Sequence, residues 1–228
     1  MNTYSPINQM NRSTSFARAL QAKESGYGSA AERLRRERTD TETRPIWRLS
    51  IFSGRFGEIS GKRAGASLSL VFRLVLEAQK QEEPVAWITS RESTFFPPDA
   101  ADAGIDLSAL AVVRAPDMLA AVRATEHLLR SGAFGLVVMD LGENVYLPIH
   151  IQARLAGQAR QHDTALLCIT EKENNRPSLG SLVSLRAHTA RTQKEENRFR
   201  CEAHILKDKR RGPGRGYVEV YRGPDGLR

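Results

Sequence analysis

Apolar positions along this chain switch repeatedly between two periods. Residues 1–44 are polar, with Ser, Asn, Arg and Glu dominant. Within them Ala17–Lys23 and Ala30–Arg38 carry short helical patterns. The second has Leu34 as its one large apolar side chain, too little to build a core-facing stripe. This arm reads as flexible, or as ordered on a partner, and Pro45 marks its end. Beyond it, strand-like and helix-like runs alternate. Arg55–Ser60 predicts a strand, and Ser67–Gln81 a helix closed by Pro84, with Leu68, Val71, Phe72, Val75 and Leu76 apolar. Val85–Thr89 predicts a strand, Ala100–Gly104 a short helix and Leu110–Arg114 another strand. Asp117–Ser131 predicts a helix with Asp117 at its start and Gly132 just past its end. Phe134–Asp140 predicts a strand, Ile149–Gln161 a helix and Thr164–Thr170 a strand.

This alternation implies βαβ crossovers and a mainly parallel sheet. The runs Leu136–Met139 and Ala165–Ile169 suit central strands covered on both faces. After Thr170 the pattern changes. Glu171–Gly180 is polar and aperiodic. Ser181–Ala187, Phe199–Lys207 and Tyr217–Tyr221 alternate apolar with polar and predict an antiparallel tail to the sheet. The turn before the last strand is bracketed by Lys207, Lys209, Arg210, Arg211 and Arg215.

Composition adds a charge asymmetry to this outline. The chain has 228 residues and a formal net charge of +8. Residues 1–50 hold nine basic and five acidic side chains, residues 51–185 thirteen and fifteen, and residues 186–228 twelve and six. A near-neutral core with basic ends suits a polyanion or an acidic protein partner, or serves solubility alone. The five cations around residue 211 are the candidate polyanion contacts, with a solvated hairpin tip as the plain alternative. No apolar run approaches bilayer-spanning length, and the polar N-terminus does not read as a secretory signal, so a cytoplasmic setting is expected. Cys168 and Cys201 then read as buried, reduced thiols. His127, His150, His162, His188 and His204 show no metal-ligand spacing, and no metal or cofactor is expected.

Residues 57–67, GEISGKRAGAS, look like a broken phosphate-binding loop. A working loop, G-x-x-x-x-G-K-[ST], cradles phosphates with backbone N–H groups, adds a lysine cation and holds Mg²⁺ through its hydroxyl. Here Gly61 and Gly65 are separated by three residues instead of four. Ala66 stands at the lysine position, and Ser67 keeps the hydroxyl. Asp140, ending an apolar strand downstream, fits the carboxylate that holds the magnesium shell in active NTPases. Glu92 is the nearest candidate for a water-orienting base, with Glu58 and Glu143 fitting less well. Lys62 and Arg63 are the cations left inside the loop, which keeps a weak, atypical ATPase open as an alternative. Hydrolysis is not expected.

Several ordered segments carry a resemblance. Arg55–Gly61, Ala86–Thr89, Ala103–Leu110 followed by Arg114–Asp117, and Arg130–Ala133 leading into the strand to Asp140 resemble, in that order, the ATPase domain of the RecA recombinase. The resemblance implies an α/β, RecA-like P-loop core over 45–228, with a mainly parallel central sheet and a C-terminal antiparallel hairpin. The places of RecA's two DNA-binding loops, between Asp140 and Thr164 and at Glu171–Gly180, are short here. A RecA-like chain with a degenerate loop, a basic polar arm and Arg-Arg-Gly-Pro near its C-terminus looks like the ImuA family. That resemblance implies a non-catalytic accessory role in SOS-induced translesion synthesis. It implies RecA, an ImuB-like homologue of Y-family polymerases and an error-prone DnaE-type polymerase as partners, DNA as a further one, and no membrane. The arm residues Arg33, Leu34, Arg35, Arg36 and Arg38 become candidates for the partner contact. A DNA-binding module without a polymerase partner is the alternative.

Overall fold

A computed structural model describes residues 47–62, 65–89, 95–143, 145–195, 198–214 and 216–222. Eight strands form one sheet: β1 (Phe56–Gly61), β2 (Val85–Thr89), β3 (Leu110–Arg114), β4 (Leu136–Gly142), β5 (Ala165–Glu171), β6 (Leu185–Glu195), β7 (Arg198–Asp208) and β8 (Gly216–Arg222). Their spatial order is β3-β2-β4-β5-β1-β6-β7-β8. The first six run parallel, and β7 and β8 continue antiparallel. The helices are α1 (Ser67–Lys80), the short α2 (Pro97–Asp102), α3 (Met118–Ser131) and α4 (Ile149–Gln161).

Two cores sit on opposite faces of the sheet because successive side chains on each strand alternate. One gathers Leu70, Leu74 and Val75 of α1 with Ile59, Trp87, Val138 and Ala187. The other gathers Val122 and Leu129 of α3 and Leu155 of α4 with Phe56, Ile88, Met139 and Cys168. The helix limits follow from local chemistry. Asp117 Oδ1 accepts the Ala120 N–H at 2.8 Å, and Gly132 closes α3 in the left-handed region at φ 66°. Such a cap is worth about 1 kcal/mol. Trp47, ahead of β1, is buried, donates its indole N–H to the Leu70 carbonyl at 2.9 Å and stacks on Tyr217 of β8.

The predicted antiparallel tail holds at β7 and β8 and departs at its first strand. β6 begins at Leu185 rather than Ser181 and lies parallel to β1, with antiparallel pairing only toward β7. The chain must therefore return from the carboxyl end of β5 to the amino end of β6, where Leu185 pairs with Gly57. Parallel neighbours usually make that return through a helix. Here residues 172–184 make it as turns and irregular chain, with Leu179 and Val183 buried in the second core.

Candidate functional site

β1 carries the site because its two faces end in different chemistry. Gly57, Ile59 and Gly61 face α1, and Phe56, Glu58 and Ser60 face the returning segment.

On the α1 face, the turn after β1 closes on itself. The Gly65 N–H donates to the Lys62 carbonyl at 2.9 Å, so an amide that a phosphate loop would offer to an anion is satisfied within the turn. Ala66, at the lysine position, is fully buried. Ser67 Oγ lies 2.7 Å from Thr189 Oγ1 of β6, and that hydroxyl reaches the Ser60 carbonyl at 3.2 Å. Gly61 permits this closure: a Cβ there would meet Thr189 Oγ1 at 2.5 Å and Ser67 Oγ at 2.7 Å. Asp140 is buried at the end of β4 beside Thr89 of β2, on the face of Val138. Lys62 points outward and pairs with Glu173 at 3.1 Å, both exposed. The structure thus places Gly61 against Ser67 and Thr189, and Gly65 against Lys62.

On the other face, Glu58 is fully buried and fully partnered. One oxygen takes the Lys172 ammonium at 2.5 Å and the Thr170 hydroxyl at 3.0 Å. The other accepts the Ser178 hydroxyl at 2.9 Å and the Leu179 N–H at 2.8 Å, with Arg186 Nε at 3.8 Å. A carboxylate so occupied is an anchor and not a water-orienting base.

The returning segment has no ladder to pair its backbone carbonyls, and every backbone polar group that leaves water needs a partner. Cations supply the donors. Arg186 donates to the carbonyls of Arg176 at 2.5 Å and Glu173 at 3.2 Å, and Lys172 to Pro177 at 2.9 Å. Arg55 donates to Ser184 at 2.8 Å and pairs with Asp208 at 2.6 Å. Lys207 reaches the Gly180 and Ser181 carbonyls, and Lys209 reaches Ser181 at 2.8 Å. Burial opposes ionisation of Asp208, but the Arg55 hydrogen bond and the Arg210 and Arg211 amides outweigh it and hold its carboxyl below the usual range. Burial, and then the neighbouring Lys209, lower the Lys207 pKa.

The basic cluster is therefore divided. Lys207 and Lys209 are pegs for the returning segment. Arg210 and Arg211 are exposed, their guanidinium groups make no ion pair among the described residues, and they flank a cavity of about 50 Å³ with Trp47, Arg55 and Tyr217. This cluster adjoins the amino end of β6, whereas the broken loop follows the carboxyl end of β1. The two candidates lie roughly 17 Å apart along the strand direction. Arg63, Glu92, Arg215 and the arm residues Arg33, Leu34, Arg35, Arg36 and Arg38 lie outside the described residues. Glu58, Arg55, Lys172, Arg186 and Thr189 carry roles that the motif reading does not assign. The available signal is a charged residue inside a strand otherwise built of small and apolar side chains.

Curated proteins similar to this chain are RecA proteins. It is 32% identical over 120 residues to RecA of Chlorobium limicola, covering 46% of this chain and 33% of that protein. The figures are the same for RecA of Chlorobaculum parvum. Over that stretch the chain is RecA-like. The RecA-like chain spans about a third of the length of the curated relatives it matches. No family model matches it. The mixed eight-stranded sheet agrees with a RecA-like core. No helix among the described residues is long and apolar enough to cross a membrane.

Proposed function

We propose that this RecA-like chain is a non-catalytic accessory protein of SOS-induced DNA damage tolerance, of the ImuA type. It binds RecA, an ImuB-like polymerase subunit, or both, alongside an error-prone DnaE-type polymerase. The observation that carries the reading is the self-closed turn after β1. Its amide is spent on Lys62, its lysine position is a buried alanine, and its hydroxyl is bound to Thr189. Phosphate binding there would require breaking these contacts, with a buried alanine where the lysine cation would stand. The returning segment supports the same reading, because it is short and its carbonyls are bonded within the fold at the place of the second RecA DNA-binding loop. Arg210 and Arg211 favour a second contribution, contact with DNA phosphates.

A pull-down of the full chain against purified RecA and an ImuB-like subunit, with and without single-stranded DNA and nuclease, tests the proposal. Nuclease-resistant capture of either protein is the expected result. Retention on DNA alone would replace this reading with a DNA-binding module. ATP turnover lost on Asp140→Ala would replace it with an atypical ATPase.

A further inference from the structure

β8 forms one edge of the sheet and presents a self-complementary strand. It pairs with β7 on one side and with no other strand among the described residues. Sheet edges are usually protected by lysine, proline, a bulge or a covering element. β8 has neither lysine nor proline, and its pairing with β7 has no register shift. Its outward face exposes Val218 at 41% and Val220 at 46%. Its inward face is locked: Tyr217 and Tyr221 both donate to Glu219, and Arg73 pairs with Glu219 at 3.3 Å. Among the described residues, the strand therefore has one unpaired edge and one exposed face.

Its sequence reads the same in both directions, Tyr217-Val218-Glu219-Val220-Tyr221. An antiparallel two-fold through Glu219 sets Tyr217 opposite Tyr221 of the second copy and Val218 opposite Val220. Charge follows the same symmetry. Val218 lies beside Glu202 of β7, and Val220 beside Arg200. Each joined row would run Glu202–Val218–Val220–Arg200 across the two copies, with opposite charges at its ends. The two Glu219 carboxylates face the same axis, but each is held on its own Arg73 and tyrosine hydroxyls. Isologous dimers require this kind of self-match.

We propose that β8 pairs with β8 of a second copy of this chain, making a continuous sheet across a two-fold axis at Glu219. The test is sedimentation velocity of the full chain up to concentrations on the order of 100 μM, with Val220→Lys as the disrupting variant. A reversible dimer, weakened at least tenfold by V220K, is expected. Register is read separately with V218C and V220C. A mixture of the two should cross-link through a disulfide, and neither alone should do so efficiently. Both sites are exposed, so the fold survives the substitutions, and circular dichroism checks it. A monomer throughout, a dimer indifferent to V220K, or V218C cross-linking to itself as well as in the mixture would each overturn the proposal.

Discussion

The two faces of β1 have been closed by opposite means. Toward α1, the turn is sealed with small neutral groups: Gly61, Ala66, and the Ser67 and Thr189 hydroxyls. Toward the returning segment, closure uses full charges, with Glu58 between Lys172 and Arg186. The difference lies in what each face has to satisfy. The α1 face has a helix whose backbone is internally bonded, so only a small gap needs filling. The other face has thirteen residues of irregular chain, whose carbonyls demand strong donors and whose donors demand an anion.

The sharpest way to break this contrast is Glu58→Ala, which strands the buried Arg186 and the partly buried Lys172. Loss of about 3–5 kcal/mol is expected from breaking such a network, read as a lower midpoint in urea. Limited proteolysis should then cut within residues 172–184, and Glu58→Gln should be milder. Arg55→Ala follows, with a similar mechanism at the amino end of β6. Its partner gives a pH signature. Because the folded Asp208 pKa is depressed, its contribution is complete above the ordinary carboxylate pKa and is lost as pH falls through the folded value. Asp208→Asn should therefore flatten the stability profile below about pH 4. On the quiet face, Ser67→Ala should cost only about 0.5–1.5 kcal/mol, because Thr189 keeps the Ser60 carbonyl. A result as large as that for Glu58 would erase the comparison. Smallest of all, Arg210→Ala with Arg211→Ala should leave unfolding within about 0.5 kcal/mol, while reducing salt-sensitive retention on DNA.

The sequence makes the parallel half of the sheet legible because burial on both faces leaves continuous apolar runs. Val85–Thr89 falls where the pattern puts it, as do the largely exposed edge strand Leu110–Arg114 and the helix Ile149–Gln161. The limits of α3 are legible because Asp117 and Gly132 act locally. The start of β6 is not. Ser181–Ser184 alternate like a strand, yet they finish the return from β5, and only the pairing of Leu185 with Gly57 fixes where the ladder begins. The role of Lys207 is hidden for the same reason: a cation in a basic run looks solvated until the carbonyl it serves is brought from Gly180. Gly61, Gly65 and Ser67 announce a phosphate loop, while Thr189, more than a hundred residues later, is what fills it.

The stacking of Trp47 on Tyr217 has a bearing on how the chain is made. The first side chain of the described core is covered by the last strand, and Arg55 likewise waits for Asp208. Domains generally fold as units while synthesis proceeds from the N-terminus, but here Trp47 gains its stacking partner only once β8 has emerged from the ribosome. A nascent chain stalled before Asp208 would hold Trp47 and Arg55 without these partners, and emergence of β7 and β8 would supply them.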